Sequence, residues 1–238
     1  MSATATHIRW DVSGSAEAMA ERAARWVTDR AAETDGPFHL CLSGGSTPAA
    51  LYSLLAQAPL KGQMPWDRTH VFWGDERFVP HADKLSNYRM ARETLLDHAP
   101  IPPGNIHPIP TEGVDPEEAA KLYEAVLQAD GGKDGPLFDV TLLGLGEDGH
   151  TASLFPAAKD ALAERKRWVV AVTGVKEEPR ISLTYPALNA SRHVAFLVAG
   201  KDKAAILAQF AAGDHALPAA RVQPSGDLWV FTDTAAKG

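Results

Sequence analysis

Apolar, β-prone runs alternate with helix-like segments along nearly the whole chain, and that alternation admits few architectures. The runs are HIRWDV (7–12), FHLCLS (38–43), THVFWG (69–74), FDVTLLGLG (138–146), WVVAVT (168–173), RISLTY (180–185), HVAFLVAG (193–200) and DLWVFT (227–232). Helices are expected near 15–34, 48–57, 86–98, 115–129 and 201–212. Strands separated by helices need crossover connections, which bring each strand back parallel to the last and leave helices on the sheet faces. The expected fold is therefore an α/β one: an open, mostly parallel sheet flanked by helices on both faces. In the 15–34 segment Ser15 is placed to cap the helix, and apolar residues recur at helical spacing, so Met19 and Trp26 are expected in the core.

The Pro/Gly-rich stretches at 99–110 and 129–136 read as loops between elements, since no change of composition accompanies them. With 238 residues, 45% of them hydrophobic, the chain can bury a full core, and residues 1–238 are expected to form one domain. The single cysteine, Cys41, excludes an internal disulfide and lies in the apolar FHLCLS run, where a buried thiol is expected. A reducing, cytoplasmic compartment follows as the expectation. The opening MSATATHIRWDV lacks a basic segment followed by an apolar core, and no run approaches the roughly 18 apolar residues of a membrane span. A net charge of -7 argues against broad nucleic-acid binding. An anionic small molecule needs only a local cluster of cations and backbone N–H groups. Arg77, Arg180 and Lys203 are the cations that stand near strand ends.

Three strand ends carry chemistry. In LSGGSTPAALY (42–52), Gly44 and Gly45 permit a tight turn and Pro48 suits the first turn of a helix whose free N–H groups face the loop. Ser43, Ser46 and Thr47 add hydroxyls, and the turn reads either as a phosphate cradle or as a helix start capped by Ser46 or Thr47. No Lys follows the glycines, so a Walker-type loop is not supported. In VFWGDERFVP (71–80), a strand delivers Asp75, Glu76 and Arg77 together within an apolar frame. Edges of this kind are where open α/β sheets hold ligands, although a solvated charge cluster is the plain alternative.

The third end, GLGEDGH (144–150), matches G-x-G-x-x-G in its first six letters. A dinucleotide loop needs a substantial helix after it and an acidic residue about 20 positions on. Here TASLFP breaks at Pro156, and Asp148 lies inside the turn, where its charge repels a pyrophosphate. What remains is a carboxylate, a Gly and an imidazole in the order Asp148-Gly149-His150. Imidazole is the side chain suited to proton transfer near neutrality, with Asp148 placed to orient it. No second His or Cys stands at a zinc-ligand spacing such as H-E-x-x-H or C-x-x-C, so no metal site is expected.

With these loops in hand, the chain resembles the 6-phosphogluconolactonase family. The matching segments are LSGGSTP (42–48), WGDERFVP (73–80), SNYRM (86–90), LLGLGEDGHTASLFP (142–156), RISLTYPALNASRHVAFLVAG (180–200) and GKDKA (200–204). The resemblance implies a NagB/RpiA-like Rossmann-type sheet, no organic cofactor, and hydrolysis of 6-phospho-D-glucono-1,5-lactone in the oxidative pentose phosphate pathway. The related glucosamine-6-phosphate deaminases carry a catalytic Glu where this chain has Phe155, and an aromatic residue where it has Arg77. Both differences favour the lactonase. The resemblance makes His150 the base that activates water, with Asp148 orienting it. Arg77 either stabilises the oxyanion or binds sugar oxygens, and Asp75 either holds Arg77 or binds a sugar hydroxyl. Phosphate is expected on Ser43, Gly44, Gly45, Ser46 and Thr47, neutralised by Lys203. Arg180 is a second candidate, which equally can pair with Glu177 or Glu178. The expected partner is a small sugar-phosphate lactone, with no nucleic acid and no membrane.

Overall fold

The computed structural model describes residues 8–130 and 135–238, so His7 of the first run and part of the 129–136 loop lie outside it. The strands are β1 (Ile8–Ser13), β2 (Phe38–Leu42), β3 (Thr69–Trp73), β4 (Asp75–Arg77), β5 (Phe138–Leu143), β6 (Val169–Val172), β7 (Arg180–Leu183), β8 (Ser191–Val198) and β9 (Asp227–Asp233). The helices are α1 (Ala16–Glu33), α2 (Ser46–Leu55), α3 (Asn87–Ala91), α4 (Pro116–Asp130), α5 (Lys159–Ala163), α6 (Tyr185–Asn189), α7 (Ala204–Ala211) and α8 (Thr234–Lys237). Six strands form a wholly parallel sheet in the order β1-β9-β8-β5-β2-β3. Its central strand β5 is buried at all six positions, as a parallel strand covered on both faces must be. Among the described residues no helix is long and apolar enough to cross a membrane.

The alternation rule fails at one place. β4, β6 and β7 leave the main sheet and form a separate antiparallel sheet in the order β4-β7-β6. Asp75, Glu76 and Arg77 are thus a strand and not a loop, opposite Ser182, Ile181 and Arg180 respectively. The reason is visible between 168 and 185, where no helix separates the two runs and a short connection favours antiparallel pairing. The long helix expected at 86–98 is also interrupted. α3 gives way at Arg92–Leu96 to a wider, π-type turn.

Ser15 caps α1 as expected, its Oγ accepting from the Ala18 amide at 3.2 Å. Met19, Ala23, Val27 and Ala31 then bury one stripe of α1, and Trp26 packs on Trp229 and Phe231 of β9 at 5.6 and 5.4 Å. Cys41 is fully buried, and burial pushes its thiol well up, so it is a core residue.

Two tyrosines end strands where the sheet meets its loops. Tyr52 of α2 accepts from the Ser43 amide and donates to the Ser43 carbonyl, both at 2.9 Å. Tyr123 of α4 does the same for Trp73, at 2.8 and 2.9 Å. Each phenol satisfies backbone groups that no neighbouring strand reaches, which fixes the exits of β2 and β3. α4 also ties the two sheets together, since its Glu124 accepts from the Trp168 amide beside β6 at 2.9 Å. One continuous buried cluster runs from Met19 to Ala236 through both sheets. Exposed ion pairs such as Arg89–Glu93 are screened by water and add little, so the cluster carries the stability.

Candidate active site

The connection from β2 runs outward to β3, while β5 sits on the other side of β2 and its chain continues towards β8. The carboxyl ends of β2 and β5 therefore diverge, and such a switch point leaves a crevice for a ligand. A cleft of about 240 Å³ opens there. β2 contributes Ser43 and Gly44, the β3–β4 strand end contributes Asp75 and Arg77, β5 contributes Gly144–Gly146 and His150, and the turn after β8 contributes Lys203. Segments far apart in sequence meet because parallel strands all point their ends the same way.

In the β5 turn, the His150 Nδ1 lies 2.5 Å from Asp148 Oδ1, and the same oxygen accepts from the His150 amide at 3.1 Å. Burial pushes the Asp148 carboxyl up, but the hydrogen bonds and charge of His150 outweigh it and hold Asp148 below the usual carboxylate range. An ionised Asp148 keeps the proton of the imidazole on Nδ1, so Nε2 is the basic nitrogen. Among the described residues Nε2 has no protein partner, and the ring packs on Phe155 at 4.6 Å. Two glycines make the turn possible. Gly149 has φ of 78°, and a Cβ on Gly146 would lie 2.0 Å from the His150 Nδ1. Downstream, Thr151 and Leu154 bridge in a tight turn in place of the helix that a dinucleotide loop requires.

Asp75 is 9% exposed, and its carboxylate accepts from Ser153 Oγ at 2.6 Å and Asn87 Nδ2 at 3.5 Å. It makes no ion pair with Arg77, so the expectation that Asp75 holds Arg77 is corrected. Arg77 instead donates to the Leu85 carbonyl at 2.5 Å. Arg180 does not line the cleft. It sits directly opposite Arg77 in the β4–β7 pair, with Nη2 3.3 Å from Glu178 Oε2 and a buried Nη1 that has no partner among the described residues. Burial, then the adjacent Arg77 charge, pulls the Arg180 guanidinium below its ordinary range. Two neighbouring guanidinium groups favour an anion nearby.

At the β2 exit the helix start is capped by the backbone of Gly45, and neither Ser46 nor Thr47 makes a side-chain cap. Its first N–H groups are left for a ligand, although Gly45, Ser46 and Thr47 stand beside the cleft lining and not within it. Ser43 Oγ lines the cleft, is buried and has no partner among the described residues. Lys203 faces the same space from a 3-10 turn at Lys201–Lys203, with no carboxylate partner among the described residues.

Three contributors carry no assigned role from the sequence. Asn87 lines the cleft, donates to the Asp75 carbonyl at 2.9 Å and packs where a Cβ on Gly44 would sit. Ser153 holds Asp75, as above. Glu76, 1% exposed, accepts from the amides of Arg77, Asn87 and Tyr88 at 2.7 Å each and from Ser86 Oγ at 3.0 Å. Burial pushes its carboxyl up against the pull of these donors. The Asn87–Gly44 contact has no local signal in the sequence.

A family model described as glucosamine-6-phosphate isomerases/6-phosphogluconolactonase matches residues 14–231. The 6-phosphogluconolactonase of Nostoc sp. is 44% identical over 214 residues, covering 87% of each chain. That of Synechocystis sp. is 43% identical over 236 residues, covering 94% of this chain and 95% of its own. The crystal structure of 6-phosphogluconolactonase from Thermotoga maritima superposes with a TM-score of 0.81 at 32% identity, covering 95% of this chain and 98% of the other. The fold, the strand-end loops and these similarities agree, and the chain belongs to the glucosamine-6-phosphate isomerase/6-phosphogluconolactonase family.

Proposed function

We propose that this protein hydrolyses 6-phospho-D-glucono-1,5-lactone to 6-phospho-D-gluconate, the second step of the oxidative pentose phosphate pathway. The observation that carries this reading is one cleft holding an Asp148-oriented imidazole, the Arg77 guanidinium and, among the described residues, an unpaired Lys203. The Nostoc and Synechocystis relatives bear the name of that enzyme. In the reaction, His150 Nε2 takes a proton from water as the water oxygen bonds to C1. Arg77 stabilises the oxyanion on the former carbonyl oxygen. The proton then passes from His150 to O5 as the C1–O5 bond breaks. Asp75, with lone pairs beyond those taken by Ser153 and Asn87, receives a sugar hydroxyl. Phosphate rests on Ser43, Gly44, Gly45, Ser46 and Thr47 against Lys203, with Arg180 adding positive charge beside Arg77. The reading takes residues 1–238 as one α/β domain, supported by the continuous buried cluster among the described residues, and as a cytoplasmic one, for which the single buried cysteine is the support.

The test is to generate the lactone in situ with glucose-6-phosphate dehydrogenase and compare its decay with and without the protein. Decay no faster than the spontaneous rate across pH 6 to 8 rejects the reading. Lys203→Ala is expected to raise KM about 10- to 100-fold with kcat little changed, because a charge-assisted contact to phosphate contributes about 1.5–3 kcal/mol. An unchanged KM removes Lys203 from the phosphate site. Gly146→Ala places a methyl on the His150 ring and is expected to lower kcat at least about 10-fold, since a misplaced base loses its geometry. A wild-type kcat in that variant means that the ring does not act from its observed position.

A further inference from the structure

Away from the cleft, towards the amino-terminal ends of β2 and β3, a second group of titratable side chains converges. His39 on β2 and His70 on β3 are direct neighbours in the parallel register, with rings edge to face at 5.3 Å. His107 joins them because its amide donates to the Val71 carbonyl at 2.9 Å, laying its segment along the outer edge of β3. Its ring stacks on Phe72 at 4.5 Å. Asp130, the last residue of α4, reaches into the same space. His39 lies four residues before Ser43, about 13 Å along the strand from the cleft.

The donor atoms form a small triangle. Asp130 Oδ2 is 2.9 Å from His70 Nδ1 and 2.9 Å from His107 Nε2, and the two nitrogens are 3.3 Å apart. His39, His70 and Asp130 each place a donor atom within 4.8 Å of the other two. A tetrahedral ion bound at about 2.0–2.1 Å holds its ligand atoms about 3.3 Å apart, so the triangle is close to the face of such a tetrahedron. Two ring nitrogens aimed at one carboxylate oxygen crowd either two protons or a proton and a lone pair. One divalent cation in their place satisfies both nitrogens and the carboxylate together. The side chains of His70, His107 and Asp130 are only 15–30% exposed, which limits competition from water while leaving a path for an ion.

We propose that His70, His107 and Asp130, completed by His39, bind one divalent transition-metal ion of the zinc type. Imidazole nitrogens with a single carboxylate suit Zn(II) and its late first-row neighbours, and are a poor match for Mg(II) or Ca(II), which take oxygen ligands. His70, His107 and Asp130 supply three ligands, with His39 within reach of His70 and Asp130, and the group lies at the far end of the strands from the cleft, so the ion is structural. It clamps the end of α4 and the segment around His107 to the edge strand β3 and its neighbour β2. It takes no part in the chemistry of the cleft and stands whether or not the cleft hydrolyses a lactone.

The experiment uses the purified full-length protein, freed of any affinity tag and stripped with a chelator. Zn(II) is titrated in competition with a chromophoric chelator, and Co(II) is added separately to read coordination geometry. The expected results are one Zn(II) per chain, visible Co(II) bands of tetrahedral intensity, and a Tm raised by about 5–10 °C at a hundredfold excess over Kd. Asp130→Asn and His107→Gln, each checked for native circular dichroism, are expected to weaken Zn(II) at least about 100-fold and abolish the Tm rise. His70→Ala is a third variant if it folds. Failure to bind one equivalent, or equal affinity in Asp130→Asn and His107→Gln, overturns the proposal and leaves a His–Asp–His hydrogen-bond cluster.

Discussion

Replacing His150 with alanine is expected to lower lactone turnover by about 10²- to 10⁴-fold while the protein remains folded, the range general acid–base catalysis usually supplies. In the proposed mechanism the imidazole accepts a proton from water and returns it to the ring oxygen. Asp148 holds its Nδ1, Phe155 supports its face, and Nε2 is left to the reaction. Folding survives because the side chain is 31% exposed and its partner Asp148 is 46% exposed, so water replaces the lost contact. The measurement is kcat of the purified variant after subtracting spontaneous hydrolysis, beside its near-ultraviolet circular dichroism. A folded His150→Ala that keeps near-wild-type turnover removes the imidazole from the mechanism. Residual catalysis is expected, since Arg77, Lys203 and the β2 turn still bind the substrate.

The second large effect is on stability. Glu76→Gln keeps the shape of a buried side chain but replaces an acceptor oxygen with a donor. Oε1 accepts from the amides of Arg77 and Asn87, and Oε2 accepts from the amide of Tyr88 and the Ser86 hydroxyl. With the amide nitrogen at the Oε1 position two backbone N–H groups lose their acceptor; at the Oε2 position the Ser86 hydroxyl can turn to accept from it, and the Tyr88 amide alone loses its acceptor. Each orphaned buried donor costs about 1–3 kcal/mol, so a loss of about 1–3 kcal/mol is expected, or about 2–12 °C in Tm. Because Glu76 lies between Asp75 and Arg77 and holds the start of α3, activity should fall with it. Urea unfolding gives the comparison, and a midpoint equal to wild type shows that Glu76 does not organise this corner. By contrast, replacing one partner of the exposed Arg89–Glu93 pair should leave the urea midpoint essentially unchanged.

Much of the fold was legible because its signals are local. Every one of the eight β-prone runs contains a strand, and Ser15 starts α1 where a capping residue should. The Asp148–His150 contact in the GLGEDGH turn was legible too, since a carboxylate two residues before a histidine needs only a tight turn to reach it. β4 was not, because three charged residues carry no strand pattern until β7, Arg180–Leu183, is placed beside them. The division of labour between Arg77 and Arg180 was equally hidden. Both stand near strand ends in the sequence, yet Arg77 lines the cleft while Arg180, its cross-strand partner, pairs with Glu178.

The amino-acid sequence alone determined the α/β class, the positions of the strands and the reactive groups at their ends. Periodicity, turn preference and capping act over a few residues and can be read there. Only the tertiary structure decided which ends meet. Ser153 reaches Asp75 across 78 positions, Asn87 fills the space that Gly44 leaves open, and His39, His70, His107 and Asp130 gather without any ligand-spacing motif. Those meetings depend on strand order and on the path of each crossover, which are set by packing of the whole core and not by any short stretch of the chain.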